Sequence, residues 1–224
     1  MGNQHLLVVL PHPDDEAFGV AGTILSHKEA GHDVTYICLT LGEMGRNMGN
    51  PLIANRESLF EVRKTELEEA CRLLGIEDLR RFGMRDKTVE FADQDALVER
   101  IFDVIEEVRP STIISFYPGF AVHPDHDATG LATALAVKKL PAEERPVFWA
   151  IAFKEGCEAI IGEPDIERDV RPFADRKLDV IAAHKSQTAG VIDVLKEQYK
   201  EESDDDIVRR MTTERFWTLD VDQY

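Results

Sequence analysis

Uninterrupted apolar runs alternate with stretches of helical period along most of this chain. Residues 6–10 (LLVVL) contain no polar position, as a strand covered on both faces requires. Residues 34–39 (VTYICL), 79–82, 112–116 (TIISF), 147–153 and 166–170 read as further strands. Between them, residues 16–30 read as a helix stopped at Gly31. Residues 56–74 read as another, with Leu67, Ala70, Cys71 and Leu74 on one face ahead of Gly75. Residues 94–108 keep the helical period at Leu97, Val98, Ile101, Ile105 and Val108, and 127–140 and 174–185 are two more helices. Past residue 153 the pattern loosens, and the run EESDDD at 201–206 reads as a solvated acidic loop. With no internal repeat and no linker, a single domain over 1–224 is expected.

Strands and helices in alternation predict an α/β fold, a Rossmann-like three-layer sandwich with a mostly parallel sheet. In the usual 3-2-1-4-5 order the first and fourth strands are neighbours, and a crevice opens at their C-terminal ends where the winding reverses. PHPDDE, residues 11–16, follows the first strand directly, and HPDH, residues 123–126, closes the loop after the fourth. Two clusters distant in sequence would therefore meet. Each alone could be a turn and a helix N-cap; at facing strand ends their chemistry counts for more. Histidine nitrogen and carboxylate oxygen suit zinc or another divalent first-row metal, and three such ligands leave a position open.

Composition narrows the function. A net charge of -17 repels polyanions, which argues against nucleic acid as a partner, although a local arginine cluster could still hold a small anion. No apolar run is long enough to cross a membrane. The N-terminus has no cationic start and no small-residue cleavage site, so a cytoplasmic protein is expected. Cys38, Cys71 and Cys157 are odd in number and form no CxxC, which argues against disulfides and a cysteine metal site. Cys38 and Cys71 fit core positions. His5, His27 and His32 match nothing and are expected to face solvent. Two histidines and a carboxylate also form the facial triad of Fe(II) oxygenases, which usually sit on a β jelly roll rather than an alternating α/β chain. A nucleotide-binding module without chemistry would need a phosphate-cradling loop, and neither GxGxxG nor GxxxxGK[ST] occurs. HExxH and GxSxG are missing as well.

The HPDDE that follows the opening strand, with the later HPDH, resembles the signature of the LmbE/PIG-L family of N-acetylglucosaminyl deacetylases. The resemblance spans nearly the whole chain and takes in TLGEMGRN after the second strand, NRE at 55–57, GMRDK at 83–87 and AHKSQ at 183–187. Within the family the chain is similar to the second type of bacillithiol-biosynthesis deacetylase, which acts on N-acetylglucosaminyl malate. The resemblance implies a Zn2+ cofactor held by His12, Asp15 and His126, with Asp14 as general base and His123 facing the substrate carbonyl. It places Arg56 and Asp86 at substrate-holding positions and His184 at that of a late histidine of unassigned role, here grouped with them. Arg46, in the long loop after the second strand, is a further candidate for an acidic aglycone. Some relatives carry a tyrosine just before the second motif; here Ala121 and Val122 stand there, and Tyr117 is the nearest hydroxyl. The implied partner is a small amino-sugar conjugate, and a homo-oligomer is left open.

Overall fold

A computed structural model describes residues 4–200 and 206–224. The acidic run at 201–205 lies outside them, and Asp206 begins a helix. The strands are β1 (Leu6–Leu10), β2 (Val34–Cys38), β3 (Asp78–Arg81), β4 (Thr112–Phe116), β5 (Val147–Ile151), β6 (Ile166–Asp169) and β7 (Thr213–Thr218). They form one seven-stranded sheet in the order β3-β2-β1-β4-β5-β7-β6. The first five pair in parallel, and β7 runs antiparallel to both its neighbours. This is the predicted Rossmann-like, mostly parallel architecture, with β7, a strand the sequence pattern does not reveal, inserted between β5 and the edge strand β6.

The helices are α1 (Asp15–Gly19), α2 (Ala21–Glu29), α3 (Leu59–Leu74), α4 (Gln94–Val108), α5 (Pro124–Lys138), α6 (Glu158–Ile161), α7 (Ala174–Ala183), α8 (Lys185–Thr188), α9 (Ile192–Lys200) and α10 (Asp206–Thr212). The strands' alternation divides the interior into two cores, one on each face of the sheet. Leu6, Val8 and Leu10 of β1 join Ile24, Leu67, Leu74, Val180 and Ile181 on one face. Leu7 and Val9 join Leu97, Ile101, Ile105, Ala132 and Val137 on the other. Five fully buried residues in a row explain why LLVVL has no polar position.

Several helix boundaries differ from expectation, and three of the differences have an identifiable hydrogen-bonding cause. The helix predicted over 16–30 is broken at Val20 into α1 and α2, and Glu214 of β7 caps α2 by accepting from the N–H groups of Gly22 (2.9 Å) and Thr23 (2.7 Å). The helix expected from 127 begins at Pro124, because the His123 side chain caps it and proline suits the first turn. The helix expected from 56 begins at Leu59, because the Asn55 side chain accepts from the N–H groups of Glu57 and Ser58 (both 2.9 Å), turning the chain first. All three cysteines are free and buried. His5, His27 and His32 are half-buried; the His5 ring meets the Thr35 hydroxyl at 2.8 Å.

Candidate metal centre and active site

The PHPDDE and HPDH segments meet at the C-terminal ends of the neighbouring strands β1 and β4, where the winding reverses. Both arrive through strained backbone. Asp14 has φ 98°, and Val122, a β-branched residue just ahead of His123, has φ 68°. A cavity of about 450 Å³ opens above them, lined by His12, Asp14, Asp15, Arg46, Asp86, His123 and His126 among others.

Three potential ligand residues converge there. His12 Nδ1 lies 3.2 Å from His126 Nε2 and 3.5 Å from Asp15 Oδ2, and Asp15 Oδ1 lies 3.2 Å from His126 Nε2. A tetrahedral zinc with ligands at about 2.0–2.1 Å would space them roughly 3.3 Å apart. The hydrogen bonds fix which nitrogens are free. His126 Nδ1 sits 3.1 Å from the Ala121 carbonyl, which can only accept, so Nδ1 carries the proton and Nε2 offers its lone pair. Phe116 stacks on the same ring at 3.9 Å, holding its plane. His12 Nε2 lies 3.2 Å from both Asp125 Oδ2 and Asp86 Oδ1, which leaves Nδ1 facing the cluster. The donor set fits a first-row divalent metal, with carboxylates behind a metal-facing histidine.

His12, Asp86 and Asp125 form a second group of potential ligands, as do His12, His123 and His126. The carboxylates of the former are already engaged: Asp125 accepts from the N–H groups of Lys87 (2.7 Å) and Val89 (3.1 Å), Asp86 from that of Met44 (2.8 Å). They brace His12 from its outer side. Asp86, expected at substrate, is 4% exposed and spends its carboxylate on His12 and the Met44 amide. Glu43 caps the same turn by accepting from the Asp86 N–H at 3.0 Å.

The adjacent aspartates have opposite electrostatics. Burial pushes the Asp14 carboxyl up to about 6, against the pull of Arg63. Burial also opposes ionisation of Asp15, but the His126 and His12 imidazoles hold it well below the usual carboxylate range. Burial, with His12 and His126 close by, lowers the His123 pKa. His123 Nδ1 accepts the Asp125 N–H at 3.1 Å, so the neutral ring turns an Nε2–H donor outward.

Sequence reasoning missed Arg63. It is 3% exposed on α3 and donates to the Gly42 carbonyl (2.8 Å), the Pro13 carbonyl and Asp14 Oδ2 (2.9 Å). The signal was available: Arg63 stands four residues before Leu67 on the apolar face of its helix. Gly42 makes room for it, since a Cβ there would lie 1.9 Å from the guanidinium. Lys87, exposed at the cavity rim, was noted only within GMRDK.

Two expected substrate residues lie elsewhere. Arg56 is exposed, does not line the cavity, and donates to the Gly45 carbonyl at 2.7 Å. His184 is fully buried beneath the site, 2.5 Å from Glu16. Arg46 does line the cavity, exposed and with no ion-pair partner among the described residues. Tyr117 is half-buried and does not line the cavity.

Fold and site define a Rossmann-like α/β protein with a histidine–carboxylate cluster at its topological switch point. Residues 7–137 match the PIG-L family, described as GlcNAc-PI de-N-acetylase, and the chain belongs to that family. It is 49% identical over 214 residues to a probable N-acetyl-alpha-D-glucosaminyl L-malate deacetylase 2 of Bacillus anthracis, covering 96% of this chain and 94% of that protein. The Bacillus subtilis protein of the same description is 47% identical, covering 88% and 89%. Among solved structures, the N,N'-diacetylchitobiose deacetylase from Pyrococcus horikoshii has the same fold, with a TM-score of 0.74 at 22% identity over 97% of this chain and 84% of that one. GalB, a 4-carboxy-2-hydroxymuconate hydratase from Pseudomonas putida, shares it at a TM-score of 0.68 and 21% identity, over 97% and 96%. Fold alone therefore does not select the reaction.

Proposed function

We propose that this protein is a metal-dependent hydrolase that removes acetyl from an N-acetylglucosamine conjugate, with N-acetylglucosaminyl malate, the bacillithiol precursor, as its substrate. The observation that carries the reading is the convergence of His12 Nδ1, Asp15 and His126 Nε2 at 3.2–3.5 Å beside a second aspartate free of that cluster. The identity to the Bacillus proteins, extending over nearly the full length of both chains, supports the substrate class.

In this reading His12, Asp15 and His126 hold the metal, taken to be Zn2+. When bound, the metal supplies Lewis acidity, polarising the amide carbonyl and making water a better nucleophile near neutral pH. Asp14 takes the proton from the attacking water and returns it to the departing amine. A carboxyl raised to about 6 suits that double duty better than an ordinary one. Arg63 fixes its orientation through Oδ2. The His123 Nε2–H donates to the oxyanion that develops as the carbonyl is attacked. Arg46, exposed at the cavity, receives a carboxylate of the aglycone through its planar fork.

The test is acetate release from N-acetylglucosaminyl malate and from free N-acetylglucosamine, before and after chelation. We expect turnover of the conjugate, loss with chelator and recovery on adding Zn2+. Replacing Arg46 with Ala should lower kcat/KM for the conjugate by about 10-fold or more, the scale of one charge-assisted hydrogen bond, and barely affect the uncharged sugar. Full activity in metal-free protein would remove the metal from the reaction; no acetate from any N-acetylglucosamine derivative would end the deacetylase reading.

A further inference from the structure

The AHKSQ segment at 183–187 supplies no side chain to the cavity, yet its residues reach three elements that do. His184, at the C-terminal end of α7, places Nε2 2.5 Å from Glu16 Oε1. Glu16 is itself fully buried, and its Oε2 accepts the Asp14 N–H at 3.1 Å and the Tyr36 hydroxyl at 3.0 Å. Ser186 donates its N–H (2.6 Å) and hydroxyl (2.7 Å) to Glu66, one helical turn beyond Arg63 on α3. Gln187 and Asn47 exchange side-chain to backbone hydrogen bonds at 3.0 and 3.1 Å, tying down the loop that carries Arg46.

Asp14 is thus held from two directions. Its side chain is fixed by Arg63, and its backbone, in a region non-glycine residues rarely occupy, by Glu16. Strained backbone persists only where its surroundings over-determine it, and Glu16 is a carboxylate with three donors converging on it. Removing one donor loosens the carboxylate and, through it, the Asp14 peptide.

We propose that His184 and Glu16 form a buried positioning pair that holds Asp14 in its working orientation, His184 acting through Glu16 without touching substrate. The proposal rests on Asp14 being the general base. Misplacing a reacting group by about 1 Å can cost about 100-fold in rate, so loss of the His184 donor should lower kcat by about 10- to 100-fold.

The experiment measures acetate release from N-acetylglucosaminyl malate by His184→Phe, which keeps a ring but removes the donor, and by His184→Gln, which keeps an N–H. Each change is made in the wild-type chain and in Asp14→Asn. We expect His184→Phe to lower kcat 10- to 100-fold with KM and bound zinc within twofold of wild type, and His184→Gln to recover most of the loss. In the Asp14→Asn background, His184→Phe should change kcat less than twofold, because the group it positions is already gone. Tyr36→Phe, which removes another Glu16 donor at nearly constant volume, should show the same dependence on Asp14 and serves if His184→Phe does not fold. Equal rate losses in both backgrounds, or an unchanged kcat in the wild-type background, would overturn the proposal. An inactive wild-type protein would instead overturn the deacetylase reading.

Discussion

Asp14 and Asp15 show how little a residue's identity says without its neighbours. They are adjacent and chemically identical, yet one carboxyl is raised to about 6 and the other depressed. The two imidazoles at 3.2–3.5 Å outweigh burial at Asp15, whereas burial outweighs the guanidinium 2.9 Å from Asp14. Different failures are expected on mutation. Asp15→Ala should lose bound metal, measured by elemental analysis, with the fold intact. Asp14→Asn should retain metal and lose about 100-fold or more in kcat, the scale of a missing general base. Normal turnover by Asp14→Asn would move the base elsewhere. The motif residues were legible because histidine and carboxylate at a strand end are conspicuous. Arg63 was not, because arginine is mostly exposed and only its place on the apolar face of α3 marks it as buried.

At the scale of elements, close backbone approach sets the site. Helix α5 carries Asp125 and His126, and it lies against β4 at Gly130. A Cβ at Gly130 would lie 2.2 Å from the Phe116 carbonyl oxygen, with backbone rather than a flexible side chain in its way. Phe116 is also the ring stacked on His126. Gly130→Ala should therefore destabilise the protein by about 1–3 kcal/mol, the usual range for overpacking, and weaken metal retention as His126 shifts. Thermal unfolding and a metal titration check both; wild-type values would mean the contact relaxes without moving the helix. Periodicity found α5 but started it at 127 and so left Asp125 and His126 in a loop. The caps that decide such ends are side chains, here His123, and a hydrophobic period does not register them. The break between α1 and α2 was invisible for a similar reason. Its cap is Glu214, which lies far along the chain.

For the whole molecule, β7 joins the C-terminal region to the N-terminal motif. Glu214 on β7 caps α2 and pairs with Lys177 of α7 at 2.7 Å, and both side chains are buried. Glu214→Ala would leave a buried ammonium without its carboxylate and should cost about 3–5 kcal/mol, read by denaturant unfolding. A loss below 1 kcal/mol would mean that Lys177 reaches solvent or another acceptor. Charge also acts at this scale. The chain carries -17 overall, yet in the cavity lining Arg46, Arg63 and Lys87 balance Asp14, Asp15 and Asp86, so the site lacks the negative excess of the surrounding protein.

By itself the sequence determined the strand–helix alternation, the parallel half of the sheet and the two motif clusters. Each depends on local pattern: uninterrupted apolar runs for buried strands, the helical period for their covers, polar clusters at strand ends for chemistry. From the usual order of such sheets it also followed that the clusters should meet at β1 and β4, as they do. Only the tertiary structure decided what surrounds them. It turned Asp86 toward His12, left Arg56 on the surface and Arg46 at the cavity, buried His184 against Glu16, brought Arg63 to Asp14, and inserted β7 between β5 and β6. The physical reason is that hydrogen bonds and ion pairs act over about 3 Å. Their partners are fixed by how distant segments pack, which no periodicity along the chain records.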